Sequence, residues 1–190
     1  QSIYGISKVN EELDEDKSIK APATAYAEAK WLAEGELTSL ADDQFTVVIL
    51  RPSTVFGKSP NIRCDIVFNN FVGSAFTSGE IIVKSDGSPW RPVIHVEDLS
   101  KAILAALKAN PNIVQGRAYN VGIKNGNYTV KELANAANSA FPDSVLKFTN
   151  EHTDPRTYQV CFNRIYNELG TIFKPTWSLE KGASELKEFF

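Results

Sequence analysis

The amino-acid sequence predicts an α/β fold. Short, charge-free, β-rich runs such as residues 45–50 alternate along the chain with longer segments whose apolar residues recur every three or four positions. Gly, Pro, Asn or Asp punctuate most of the junctions between them. No internal repeat or low-complexity stretch interrupts this alternation.

Taken in order, Pro22 and Thr24 precede a segment with Ala29, Leu32, Ala33, Leu37 and Leu40 at helical steps, which predicts an amphipathic helix ending near Asp42 and Asp43. Residues 45–50 (Phe-Thr-Val-Val-Ile-Leu) suit a parallel strand covered on both faces, stopped by Arg51-Pro52. A Gly/Pro-bearing loop at 57–60 leads to a helix over 66–76 and a short strand at 81–83, with a turn at Asp86-Gly87. Glu97 and Asp98 open a helix carrying Leu99, Ile103 and Leu107, because acidic residues suit the positive N-terminus. Asn110-Pro111 closes it, and a brief strand follows at 118–121. Thr129-Val-Lys-Glu132 has capping-box spacing, so a helix is expected from there to about Ala140. The last helix begins near Ser178 and should present Leu179, Leu186 and Phe189 to the core.

Bulk properties narrow the function classes. At 190 residues, 43% hydrophobic and 23% charged, the chain is long enough for one sizeable core or two small lobes sharing one. Its formal net charge is −3 and its basic residues are scattered, which removes the general electrostatic case for nucleic acid. No apolar run approaches the roughly 18 residues of a membrane span. Cys64 and Cys161 lack zinc-like spacing and read as unpaired thiols in a reducing compartment, with the cytoplasm as default. No metal site is expected. The chain opens Gln-Ser-Ile-Tyr-Gly and contains no Met, so the expectation is a portion of a longer polypeptide.

The chemistry centres on Tyr26 and Lys30. Four apart on the first helix, they share one face. A phenol, with a pKa of about 10, is a poor base at neutral pH. A nearby ammonium favours its ionised form, which makes such a pair a usable acid/base. Taken alone, the spacing fits a surface pair as well. Its context is more specific. Ser2-Ile-Tyr-Gly5, Tyr26-Ala-Glu-Ala-Lys30, Leu50-Arg-Pro-Ser-Thr-Val-Phe-Gly57, the segment from Asp86-Gly87 through Arg91 to His95-Val-Glu-Asp98, Tyr119-Asn-Val-Gly122 and Asp154-Pro-Arg-Thr-Tyr158 follow one another in order.

This series resembles the extended short-chain dehydrogenase/reductases of the NAD-dependent nucleotide-sugar epimerase/dehydratase type, and it covers essentially the whole chain. The resemblance implies the C-terminal part of a doubly wound, Rossmann-like parallel sheet with an interleaved small α/β substrate-binding lobe. Residues 1–57 would end the dinucleotide-binding domain, and 58–190 would be mainly the substrate lobe, with 92–122 returning to the Rossmann domain. It further implies Tyr26 as general acid/base, Lys30 as its partner and holder of the nicotinamide ribose, and Pro52 and Ser53 beside the nicotinamide ring. Arg91 would contact the diphosphate of a nucleotide-diphosphate sugar, and Asn69 and Arg156 its nucleotide end. An Arg fork suits spread negative charge. His95, at a strand-to-helix junction, is expected to bond backbone rather than catalyse. Trp90 reads as a packing residue or a stacking surface for a base or sugar. The implied cofactor is NAD, with NADP open, and the full-length assembly a homodimer.

The sequence departs from the family pattern in four places. The position four before Tyr4, where the family carries its catalytic Ser/Thr, falls just ahead of Gln1. No G-x-x-G-x-x-G turn is present to cradle a cofactor pyrophosphate, so the chain alone is expected to bind NAD weakly and to be inactive. Ser53-Thr54 replaces an Asn common among sugar epimerases, and Cys161 stands where relatives often have Asp. The sugar, and the choice between epimerase and dehydratase, stay open. So do a ketone or aldehyde reductase, which needs no diphosphate grip, and a non-catalytic cofactor-sensing module. Retention of both Tyr26 and Lys30 speaks against the last.

Overall fold

A computed structural model describes residues 2–5, 11–151 and 157–190. A 3-10 turn at Ser2–Tyr4 is followed by β1 (Glu12–Leu13), α1 (Ala25–Ser39), β2 (Val48–Pro52) and β3 (Thr54–Phe56). Then come α2 (Val67–Ser78), β4 (Glu80–Val83), β5 (Trp90–His95), α3 (Val96–Lys108) and the single turn α4 (Pro111–Val114). The chain continues with β6 (Arg117–Val121), β7 (Asn127–Thr129), α5 (Val130–Ala140) and β8 (Val145–Phe148), and ends with β9 (Gln159–Val160), α6 (Asn163–Leu169) and α7 (Leu179–Phe189). The predicted α/β class holds, and among the described residues all strand pairs but one are parallel: β1 with β9, β2 with β6, β3 with β5 and β4 with β8. The exception is antiparallel β5–β7.

The Thr129–Glu132 capping box acts as read, and the last helix starts from Ser178 as expected. Thr129 Oγ1 accepts from the Glu132 amide while Glu132 reaches back to the Thr129 amide, and Ser178 caps α7 through the Lys181 amide. His95 bonds backbone as expected, its Nδ1 accepting the Glu97 N–H at 3.2 Å to cap α3.

Other expectations need correction. Residues 45–50 do not form the strand as a block: Phe45 is exposed and the strand runs over 48–52, through Arg51 and Pro52 rather than stopping before them. It is not covered on both faces either, since Ile49 and Arg51 are buried while Val48, Leu50 and Pro52 are half-buried. The first helix ends at Ser39, because Asp42 Oδ1 turns the chain by accepting from the Gln44 and Phe45 amides. Its apolar stripe faces outward, with Leu32, Leu37 and Leu40 all exposed and only Ala27 buried. In α7 the core stripe is Leu179, Ala183 and Leu186, continued by Phe190, which packs on that core while Phe189 is 36% exposed. A step of four rather than three closes the last turn.

Two apolar cores result. One gathers Phe56, Phe68 and Val72 with α5 and α7; the other gathers Ile94, Tyr119, Val121 and Phe162 with α3 and α6. Between them the chain changes sheets at Ser53. Residues 48–52 pair with β6, whereas 54–56 pair with β5. Ser53 sits at the fork, its N–H and its Oγ donating to Val121 O at 2.8 and 2.9 Å. Parallel strands that part company in this way leave a crevice beyond their carboxyl ends, where α/β folds bind ligands.

Candidate active site

A cavity of about 910 Å3 occupies that crevice. One wall is α1, contributing Thr24, Tyr26, Lys30 and Glu34; the floor is residues 50–57; the far wall is the loop and helix start carrying Asn61, Arg63, Ile66 and Asn69. The volume falls within the range of small-molecule and cofactor sites.

Tyr26 and Lys30 are both exposed to this space, with Lys30 Nζ 5.6 Å from the centre of the Tyr26 ring. Their helix begins cleanly because Thr24 Oγ1 accepts from the Ala27 amide. Pro52 and Ser53 lie on the floor, Pro52 being the last residue of β2. Asn69 lines the far wall but is 2% exposed. Its Oδ1 accepts from the Gly57 amide at 3.2 Å and its Nδ2 donates to Arg63 O at 3.1 Å, so the side chain holds the rim of the cavity together.

Tyr26, Lys30, Pro52, Ser53 and Asn69 thus line one space. Arg91 is not among the lining residues. Its NH1 donates to Trp90 O, and its guanidinium lies 5.9 Å from the ring centre of Tyr158, which does line the cavity. Arg156 lies outside the described residues.

Three residues of the cavity were not singled out from sequence. Arg63 pairs with Asp65 at 2.6 Å. That hydrogen bond, the attraction of the Asp65 carboxylate, and a smaller attraction from the Tyr26 oxygen raise its pKa. Glu34 was legible in principle, being four residues after Lys30 and on its face. Arg51, inside the Leu-Arg-Pro sequence, is 5% exposed and bonded to Glu34.

The sequence model of the NAD dependent epimerase/dehydratase family matches residues 1–122. The chain belongs to that family. Among solved structures it resembles UDP-glucuronic acid 4-epimerase from Bacillus cereus, in complex with UDP-glucuronic acid and NAD. The TM-score is 0.79 at 21% identity, over 100% of this chain and 60% of that one. It resembles dTDP-glucose 4,6-dehydratase from Bacillus anthracis, in complex with NAD, with TM-score 0.76 and 21% identity over 99% of this chain and 58% of the other. RMD from Pseudomonas aeruginosa, complexed with NADPH, gives TM-score 0.81 at 16% identity over 98% and 63%. The chain therefore spans about 60% of the length of these structures.

The nicotinamide cofactor that the family implies fits part of this site. Lys30, with its exposed ammonium, and Pro52 are the residues that would face the nicotinamide and its ribose, whereas Ser53 is 3% exposed and its Oγ is committed to Val121 O. The sequence offers no G-x-x-G-x-x-G turn for the pyrophosphate. Among the described residues no helix is long and apolar enough to cross a membrane, and no group of His, Cys, Asp or Glu side chains is arranged to hold a metal ion.

Proposed function

We propose that this chain supplies the acid/base pair and the sugar-nucleotide face of an NAD(P)-dependent nucleotide-sugar epimerase or dehydratase. The observation that carries the reading is the meeting of Tyr26, Lys30, Pro52 and Ser53 around one cavity at the carboxyl end of β2.

In this reading Tyr26 Oη takes the proton of a sugar hydroxyl and later returns it. Lys30, on the same helix face with its Nζ 5.6 Å from the centre of the Tyr26 ring, places a positive charge beside the phenol. Pro52 and Ser53 seat the nicotinamide end of the cofactor. A nicotinamide bound there supplies reversible hydride transfer with the sugar carbon that bears the reacting hydroxyl. Asn69 keeps the far rim in place; Arg91, outside the lining but 5.9 Å from the ring centre of the lining residue Tyr158, is the guanidinium donor for the diphosphate, and Arg156 is assigned to the nucleotide end. Without a pyrophosphate loop the chain by itself holds NAD weakly and does not turn over, and its assembly as a homodimer and its place in the cytoplasm belong to the same reading.

The natural polypeptide that carries this sequence tests it. Incubated with NAD and with UDP-glucuronic acid or dTDP-glucose, it should yield a changed sugar nucleotide by NMR, and Tyr26→Phe should lower the rate by about 10²–10⁴-fold. Absence of both a new sugar and any absorbance near that of reduced nicotinamide, with either donor, counts against the proposal. Arg91→Ala separates the reductase alternative: an unchanged affinity for the sugar nucleotide would favour it.

A further inference from the structure

Helix α1 carries the proposed acid/base pair, yet Ala27 is its only buried residue. Apolar packing alone therefore does little to set its rotation over the cavity. A polar contact does this instead. Glu34 lies one turn beyond Lys30 and two beyond Tyr26, on the side of α1 that faces β2. Its two carboxylate oxygens take the guanidinium as a fork, Oε1 accepting from Arg51 Nε at 3.2 Å and Oε2 from Arg51 NH2 at 2.7 Å. The side chains are 6% exposed for Arg51 and 16% for Glu34, so this is not a solvated surface pair.

Arg51 is itself held from behind. Its NH1 donates to Tyr4 Oη at 3.0 Å and to Glu15 O at 3.3 Å. Tyr4 Oη donates to Asn120 Oδ1 at 2.8 Å, and Asn120 Nδ2 donates to Leu13 O at 3.0 Å. The guanidinium is thus fixed to the first turn, β1 and β6, and it belongs to the residue just before Pro52 on the cavity floor. A two-bond fork restricts rotation more than a single contact does.

We propose that Glu34 is a positioning residue, whose two-bond grip on Arg51 sets the rotation of α1 that turns Tyr26 and Lys30 into the cavity. The functional part rests on the reading of Tyr26 and Lys30 as the acid/base pair; the geometric part does not. Glu34 is chosen for the test because Arg51 is too deeply buried for its loss to be informative.

Amide hydrogen exchange on this chain, in wild type, Glu34→Ala and Glu34→Gln, tests the geometric part. Glu34→Ala should speed exchange across α1 by about tenfold while α5 stays within about twofold. Glu34→Gln keeps an acceptor oxygen for Arg51 and should restore at least half of the protection on a logarithmic scale. Unchanged exchange in α1, an equal rise in α1 and α5, or no rescue by Gln would overturn the proposal. The second readout is titration with UDP-glucuronic acid, following the Tyr26 and Lys30 amide signals by NMR. Wild type and Glu34→Gln should shift alike, and Glu34→Ala should need about five times more ligand. If α1 loosens as predicted but wild type shows no shift with this probe, Glu34 still positions α1 and the sugar-nucleotide reading is what fails. If wild type shifts and Glu34→Ala matches it, the grip does not serve the site and the proposal fails.

Discussion

His95 lies face to face with Trp177, the ring centres 3.6 Å apart and the planes inclined by 11°. The buried imidazole is held on every side: its Nδ1 accepts the Glu97 amide, its Nε2 donates to Glu185 Oε2 at 2.9 Å, and the Phe56 ring meets it edge-on. Since Nδ1 is an acceptor, the ring proton sits on Nε2. Trp177 is anchored in turn, its Nε1 donating to Glu97. Removing the indole with Trp177→Ala should cost about 2 kcal/mol of stability. His95→Ala should cost about 3 kcal/mol, because it also strips Glu185 of a partner. Urea unfolding followed by far-UV circular dichroism measures both, and His95→Ala proving the milder change would contradict this account.

Gly57 stands against the same imidazole. Its φ of +112° is one that side chains rarely adopt, and a Cβ there would overlap His95 Nε2. Gly57→Ala should therefore destabilise by about 2–3 kcal/mol, from backbone strain and the collision together. The urea midpoint checks this. A loss under about 1 kcal/mol would mean that the loop relaxes away from His95.

The capping box of α5 contributes locally. Thr129→Ala removes the acceptor for the Glu132 amide and should cost about 1 kcal/mol, whereas Thr129→Ser should stay within about 0.5 kcal/mol. Equal losses in the two variants would show that the methyl group, not the hydroxyl, matters.

Glu15 gives a pH signature. It is 3% exposed, and burial raises its pKa above the ordinary 4.5, only partly offset by the hydrogen bond from the Asn120 amide. Between the ordinary value and the raised one, the folded protein binds more protons at this site than the unfolded chain does. The contribution of Glu15 to stability therefore falls as pH rises through that window. Glu15→Gln does not ionise, so its stability relative to wild type should improve between pH 4 and pH 7. Paired urea curves at the two pH values test the sign, and a relative stability that worsens with pH would refute it.

How much was visible in advance depends on the reach of each interaction. The Thr129–Glu132 box, the start of the last helix near Ser178 and the Tyr26–Lys30 spacing are each written within one helical turn, which makes them legible locally. The strand at 90–95 lies inside a sequence motif but carries no local strand pattern over its whole length. Arg91 and Pro92 break its apolar alternation, and its identity comes from pairing with β3 and β7. Phe189 and Phe190 are one residue apart, and only the packing of the last turn decides which enters the core. Leu32, Leu37 and Leu40 read as a buried stripe, but find no apolar cover among the described residues. The Glu34–Arg51 fork joins residues 17 apart on a helix and a strand, and no local period announces it.

The exchange of partners at Ser53 has a mechanical consequence. The segment from Val48 to Phe56 is continuous backbone, hydrogen-bonded to β6 at one end and to β5 at the other. The floor of the cleft is thus a shared rail, not a flexible tether. A molecule seated there would meet a strand held at both ends, so any selectivity would have to come from the outline of the floor and from the side chains above it.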